Sequence, residues 1–344
     1  MSERKLIEYF VEDNARFALN DLAQFLVKEY TNVNNLRFLN YCRLHAFKLP
    51  EELIKRIITF YRDEEGDGYI IIRKLALIDD IYIGDTPNNW KQGDVNPKSY
   101  YLDFILVLII AIISEPVAYL EQRPDGGGIV HDVIPLLDDD VKQVGSGSSE
   151  ELLLHTEDIT LENSCDFTAL LSVRNHEEAL SSLSIFNEFK ISDESKTILF
   201  GDNFIFPPDP NYEYEHQNKY YNKRKRPILF GNKLFPYIRI APFDMLGKTE
   251  ISSQAELALQ ELISQIETHK MFVLLNAGDL LLLNNKRVLH GRSSFITNYD
   301  ATKRWMKRVL GLCDLMKASN YRDFSFPYLI TEKSFWNASN PPRI

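Results

Sequence analysis

Two triplets in the chain place a histidine two residues before a carboxylate: His155-Thr156-Glu157 and His176-Glu177-Glu178. With seven histidines and 49 acidic residues among 344, about one such triplet is expected by chance, so context has to separate them. The first directly follows the apolar run Leu152-Leu153-Leu154. On a strand, residues i and i+2 project from one face, so His155 and Glu157 would converge on a single point. The second follows Arg174-Asn175 in a polar turn, where its three side chains would simply be solvated. A His-X-acid pair is half of a facial metal site and needs a second imidazole from a distant strand. His290 is the best candidate. It closes a segment made of a Gly278-Asp279 turn, the apolar run Leu280-Leu281-Leu282-Leu283, a polar turn and Val288-Leu289, which reads as a β-hairpin with an imidazole on its second arm. By itself, a histidine after an apolar strand is more often a hydrogen-bonded core residue than a ligand.

Positioning such side chains falls to the surrounding elements. Up to about residue 63 the apolar positions recur at helical spacing (Leu6, Tyr9, Phe10; Phe17, Leu22, Phe25, Leu26; Leu53, Ile57, Ile58, Tyr61), which predicts a helical N-terminal region. From Gly66 the pattern changes to short apolar runs cut by Gly, Pro, Asn and Asp. Residues 69–72, 117–120, 130–134, 152–154, 170–173, 197–200, 228–230, 237–240 and 271–275 all read as strands, and so many short strands predict a barrel or sandwich. The longest apolar run, 104–113, falls well short of the roughly 20 residues a bilayer requires, so it reads as a buried core element. Residues 252–267 predict one surface helix. Arg304, Met306 and Arg308 alternate with Trp305, Lys307 and Val309, so a strand here would aim both arginines to one side. Residues 138–151, acidic and then Gly/Ser-rich, predict a mobile surface loop. Residues 202–227, with Pro207, Pro208, Pro210, four tyrosines and a basic run, predict a lid.

Composition narrows the class. Hydrophobic residues make up 44% and charged residues 26%, which is that of a folded protein and not of a disordered one. A net charge of −10 argues against non-specific nucleic-acid binding. Cys42, Cys165 and Cys313 suit neither a disulfide framework nor a cysteine-rich zinc site, so a reducing, cytoplasmic setting is expected. The N-terminal stretch is broken by charge, unlike a signal peptide.

Three stretches together resemble the clavaminate-synthase-like branch (TauD/TfdA type) of the iron(II)- and 2-oxoglutarate-dependent oxygenases. The first is Leu154-His155-Thr156-Glu157 with the downstream Asp166 to Asn175 segment. The second runs from Gly278-Asp279 to His290-Gly291-Arg292 and Phe295, and the third from Tyr299-Asp300 to Arg304-Trp305 and Arg308. Gly128 to Pro135 is a fainter match. The resemblance spans roughly residues 115 to 315 and implies a double-stranded β-helix (jelly-roll) core with flanking helices, an α+β chain. The expected organisation is a single oxygenase domain over 1–344, with residues 1–65 as the helical region and 66–344 as the jelly-roll core. It further implies that His155, Glu157 and His290 hold iron(II) with an open face for 2-oxoglutarate and dioxygen, and that Arg304, fourteen residues after His290, takes the distal carboxylate of 2-oxoglutarate. Where the family often has a threonine for the cosubstrate, this chain has Ser181-Ser182-Leu183, leaving either serine as the replacement.

Within that family the nearest pattern is that of hydroxylases of free basic amino acids. The resemblance implies that Arg308 holds the substrate carboxylate, that Glu157 and Gln122 accept its ammonium, and that acids near Tyr237 to Asp244 meet the side-chain cation. Arginine enzymes of this group have Asp-X-Asp there, whereas this chain has Pro242-Phe243-Asp244. A guanidinium fork rewards paired acceptors, while a compact ammonium needs one. The expectation is therefore L-lysine, hydroxylated at C4 or C3, with L-arginine as the alternative. No nucleic-acid or membrane partner is expected, and a homo-oligomer stays open. A zinc hydrolase would also use His, Glu and His, but has no need for a guanidinium at the position of Arg304.

Overall fold

The structure, a computed structural model, describes residues 6–63, 65–90, 94–122, 128–206, 225–245, 251–322 and 325–330. Its strands are β1 (Glu8–Phe10), β2 (Tyr69–Arg73), β3 (Glu115–Tyr119), β4 (Val130–Val133), β5 (Leu152–His155), β6 (Phe167–Arg174) and β7 (Leu180–Ile185), followed by β8 (Leu229–Gly231), β9 (Pro236–Ile238), β10 (Met271–Leu274), β11 (Leu280–Asn284), β12 (Val288–Arg292), β13 (Trp305–Leu312) and β14 (Leu329–Ile330). The helices are α1 (Asp13–Tyr30), α2 (Leu36–Ala46), α3 (Glu51–Arg62), α4 (Asp80–Ile83), α5 (Tyr100–Ala111), α6 (Asp193–Leu199), α7 (Pro242–Met245) and α8 (Ser253–Thr268).

Side-chain alternation sorts these strands into layers. On β2, β11, β6 and β13, the residues Ile70, Ile72, Leu280, Leu282, Ala169, Leu171, Trp305 and Val309 face the helices. Tyr69, Ile71, Leu281, Leu283 and Met306 face inward, where they meet Leu183, Ile185, Val273 and Val288 of a second sheet. Both faces are thus buried, which is why these runs are apolar throughout instead of alternating. The larger sheet has the order β1-β2-β11-β6-β13-β3-β14, with β4 also on β13, and the smaller has β10-β7-β12-β5. Helix α8 covers the outer face of the smaller sheet through Ala258, Leu259, Leu262 and Ile266, packed with Leu154 and Leu289. This is a jelly roll of two facing sheets, open and not closed into a barrel. The run 104–113 forms most of α5, every residue of which from Tyr101 to Ala111 is buried. Its one acid, Asp103, ion-pairs with Lys307 on β13 at 2.8 Å.

Several expectations change. The 277–292 segment is not a hairpin, because β11 pairs with β2 and β6 whereas β12 pairs with β5 and β7. Residues 285–287 are an arch from one sheet to the other, as strands buried on both faces require. The turn before it holds as read: Gly278 sits at φ +85 with no room for a Cβ, which would lie 2.4 Å from the Ala76 carbonyl oxygen. Tyr9 and Phe10, read as helical, belong to β1. Residues 197–199, read as a strand, end α6, whose N-cap Ser192 accepts a hydrogen bond from the Ser195 amide. The Ser-rich β7 was missed, since Ser181, Ser182 and Ser184 hide its apolar half.

The loop 138–151, expected to be mobile, is cross-linked by its own polar groups. Asp139, 1% exposed, accepts from Ser146 Oγ at 2.5 Å and Lys142 Nζ at 2.7 Å. Asp140 accepts from Ser148 Oγ, Ser149 Oγ and the Tyr299 hydroxyl. Acids that would repel one another in an open loop here satisfy the hydroxyls that follow them. Most of the expected lid, residues 207–224, lies outside the described residues.

Candidate active site

His155 ends β5 and His290 lies in mid-β12, and the register pairs them directly across the two strands. Their rings are 4.6 Å apart, centroid to centroid. Gly291 permits this crossing, since a Cβ there would stand 2.3 Å from the Leu152 carbonyl oxygen. Glu157, just past β5, brings its Oε1 to 3.3 Å from His290 Nε2. One ligand atom from each of the three residues lies within 4.8 Å of the others, the one such grouping of metal-ligating side chains found among the described residues. Burial, reinforced by the neighbouring His290, pushes the His155 imidazole down to about 4, so it is neutral and free to coordinate. His155 Nδ1 is 2.8 Å from the Leu153 carbonyl, which fixes the ring and leaves Nε2 toward the other two. Two imidazoles and one carboxylate suit a divalent transition metal, iron(II) included.

Thr156, between the two ligands, faces the other way. Its amide donates to the Ile240 carbonyl at 2.9 Å, and its Oγ1 accepts from the Ile240 amide at 3.1 Å. This ties the His155–Glu157 segment to the chain entering α7, on which Asp244 lies; the Asp244 side chain is not among those the structure describes. Asn285, in the arch, is a contributor that the sequence did not disclose. It is 2% exposed, its Oδ1 accepts from the Glu157 amide at 2.7 Å, and its Nδ2 donates to the carbonyls of Glu157 and Cys165. A polar residue in a polar turn carries no visible signal of this role.

Arg308 and Gln122 extend the carboxylate into a polar chain. Arg308 donates from Nη1 to Glu157 Oε1 at 2.7 Å and from Nη2 to Gln122 Oε1 at 2.6 Å. Gln122 Nε2 donates to Asp158 Oδ1 at 2.6 Å. Burial opposes the charge on Arg308, but Glu157 and Asp158 hold its affinity for the proton above the ordinary value. Glu157 is buried too, and Arg308 with the two histidines keeps its carboxyl well below the usual range. Of the residues expected at the site, His155, Glu157, His290, Arg308 and Gln122 therefore converge.

Arg304 is 6% exposed and lies beside a second buried guanidinium, Arg292, each within 6 Å of the Phe295 ring. Burial, and then the repulsion from Arg292, pulls Arg304 down to about 9, with Glu177 acting the other way. Its Nε is buried without a hydrogen-bond partner, and among the described residues its guanidinium forms no ion pair. A buried, uncompensated cation suits a dianionic ligand's carboxylate. Arg292, by contrast, donates to the carbonyls of Ser148, Ser293 and Glu150. That fastens the 138–151 loop to β12 beside Phe295.

The two serines separate. In register, Ser181 pairs with Arg292, Ser182 with Gly291 and Leu183 with His290. Ser181 thus shares the inner face with His290, while Ser182 faces outward, its Oγ 2.7 Å from where a Gly291 Cβ would stand. Glu177, expected to be solvated with His176 and Glu178, accepts instead from the Arg304 amide at 2.9 Å and from Thr297 Oγ1 at 2.8 Å. His176 is exposed as expected, and its Nε2 lies 3.2 Å from Asp80.

Comparison with known proteins identifies the family. The family described as taurine catabolism dioxygenase TauD, TfdA family matches residues 205–310. An L-lysine 4-hydroxylase from Flavobacterium sp. (strain CF136) is 31% identical over 339 residues, covering 94% of this chain and 90% of that one. An L-ornithine/L-arginine 3-hydroxylase from Catenulispora acidiphila is 27% identical, covering 77% of this chain and 82% of that one. The crystal structure of the non-heme iron oxygenase OrfP in complex with Fe and alpha-ketoglutaric acid superposes with a TM-score of 0.85 at 27% identity, covering 94% of this chain and 99% of that one. With a relative this similar along nearly its whole length, and a His-Glu-His grouping in the same fold, the chain belongs to the TauD/TfdA family of iron(II)- and 2-oxoglutarate-dependent dioxygenases.

Proposed function

We propose that the protein hydroxylates free L-lysine on C4, converting 2-oxoglutarate and dioxygen to succinate and carbon dioxide. The observation that carries this reading is the pairing of the His155, Glu157 and His290 donor set with the buried guanidinium of Arg304, whose Nε has no hydrogen-bond partner and which forms no ion pair among the described residues, since a hydrolytic zinc centre has no use for the latter. The similarity to an L-lysine 4-hydroxylase and the single carboxylate in Pro242-Phe243-Asp244 favour lysine. The similarity to an L-ornithine/L-arginine 3-hydroxylase supports arginine as the second reading.

In this reading His155, Glu157 and His290 hold iron(II). The metal supplies dioxygen activation coupled to decarboxylation of 2-oxoglutarate. Arg304 takes the distal carboxylate of the cosubstrate, with the Ser181 hydroxyl beside it. Arg308, already aimed by Glu157 and Gln122, turns its guanidinium to the carboxylate of the amino acid. Gln122 and the rim of Glu157 accept the α-ammonium, and Asp244 accepts the ε-ammonium. Both ends of the substrate are then held by charge, which fixes the carbon presented to the metal.

The test is incubation of anaerobically reconstituted iron(II) protein with 2-oxoglutarate, air and each proteinogenic amino acid, followed by mass spectrometry. Lysine is expected to gain one oxygen atom with stoichiometric succinate. Oxygen insertion into arginine in preference to lysine would favour the second reading, and zinc-supported hydrolysis without succinate would overturn both.

A further inference from the structure

Glu177 stands beside a guanidinium that has no ion-pair partner among the described residues, yet it does not pair with it. Its Oε1 is used by the Arg304 main-chain amide and the Thr297 hydroxyl, and its Oε2 is buried with no hydrogen-bond partner. The turn that carries it is rigid: Asn175 Nδ2 donates to the carbonyls of Ala179 and Leu275, Asn175 Oδ1 accepts from the Ala179 amide, and Glu178 adopts φ +52. The carboxylate is held by the Arg304 main chain and by Thr297, and not by the Arg304 side chain. It pins the backbone from which that side chain departs, while leaving the guanidinium donors unspent.

We propose that Glu177 is a positioning residue that sets the affinity of the Arg304 pocket for dicarboxylates through two opposed effects, main-chain anchoring that favours binding and a residual negative field that weakens it. The field matters because cosubstrate and product are both anions: a pocket with two buried arginines and no nearby acid would retain succinate. Glu177 lowers the hold on succinate and 2-oxoglutarate alike, which suits turnover. This inference rests on reading Arg304 as the partner of the distal carboxylate.

The two effects come apart in two substitutions. Glu177→Gln keeps an acceptor for the Arg304 amide and removes the charge; Glu177→Ala removes both. Binding is read without turnover, by anaerobic titration of the visible charge-transfer band of the iron(II) protein with 2-oxoglutarate and by competition with succinate, alongside thermal unfolding. Glu177→Gln is expected to tighten both ligands roughly three- to tenfold, and Glu177→Ala to weaken them by about the same factor, with iron(II) affinity unchanged in each. A merely structural glutamate would give weakening in both variants, scaled to lost stability, and that result, or unchanged binding in both, overturns the proposal. Arg304→Leu, run in parallel, separates the levels: retention of wild-type affinity there overturns the reading of Arg304 along with the inference, whereas lost affinity there without tightening in Glu177→Gln overturns the inference alone.

Discussion

Arg304 and Lys307 stand three residues apart at the start of β13, both deeply buried and both cationic, and they are treated in opposite ways. Lys307, on the helix-facing side, meets Asp103 and Asp132 at 2.8 Å each, and Trp305 Nε1 donates to the same Asp132. Burial pulls its proton affinity down, but the two acids more than offset this and hold it above the ordinary value. Arg304 is pulled down first by burial and then by another arginine, Arg292, which outweighs Glu177, and its affinity falls to about 9. A guanidinium gives up its proton reluctantly, so the deficit is felt as attraction for an anion. A cation that builds the fold brings its counter-ions with it; a cation that binds leaves the place open.

The contrast breaks most sharply if Lys307 is removed. Lys307→Met leaves Asp103 and Asp132 buried without their cation and is expected to cost about 3 to 5 kcal/mol of stability, measured by urea unfolding, with affinity for 2-oxoglutarate unchanged. Adding Asp103→Leu and Asp132→Asn should recover much of that loss.

Arg304→Leu should do the reverse: unfolding stability is kept within about 1 kcal/mol, while 2-oxoglutarate binding weakens by about 2 to 4 kcal/mol, read from the anaerobic charge-transfer titration. Stability loss equal to that of Lys307→Met would erase the distinction between the two cations.

Asn285→Ala tests a neutral group that serves the site only through another residue. It is expected to lower iron(II) affinity by roughly ten- to a hundredfold, as partners one step behind a metal ligand typically do, measured by competition with a chelator. Asn285→Asp keeps the acceptor for the Glu157 amide and should fall between wild type and alanine.

The smallest effect is expected at Asp140. Its carboxyl is held below the ordinary range, first by the hydrogen bond from Ser148, then by those from Ser149 and Tyr299. A depressed carboxyl contributes stability above its unfolded value, near pH 4, and loses it as pH falls through the folded value. Acidification well below pH 4 should therefore open the 138–151 loop to acid-active protease, and Asp140→Asn should show that opening already at neutral pH. Identical cleavage of variant and wild type would mean that Asp139 and Arg292 suffice to hold the loop.

How much of this could be read from the chain depended on distance along it. The convergence of His155 and Glu157 was legible because they are two residues apart, although β5 ends at His155 and Glu157 lies in the turn that follows, not on the strand the spacing predicts. His290 needed the resemblance of a longer segment. What stayed hidden were partnerships across more than a hundred residues: Asn285 with Glu157, Glu177 with Arg304, and β11 parting from β12 into separate sheets. A polar turn looks the same whether it closes a hairpin or crosses a sandwich. Ser181 and Ser182 could not be told apart until the register of β7 on β12 gave each a face.

That arch has a mechanical consequence. Both imidazoles lie on adjacent strands of one sheet, and Glu157 is suspended by its main chain from Asn285 in the arch, so the spacing of the three ligands is an internal dimension of the smaller sheet. Arg304 and Arg308 ride on the larger one. Arg308 reaches across from the larger sheet to donate to Glu157 at 2.7 Å, so a displacement of one sheet against the other is felt at the donor set through that bond. The jelly roll works here as a clasp: the two imidazoles sit on one leaf and Arg308 on the other, and the carboxylate of Glu157 is the catch between them.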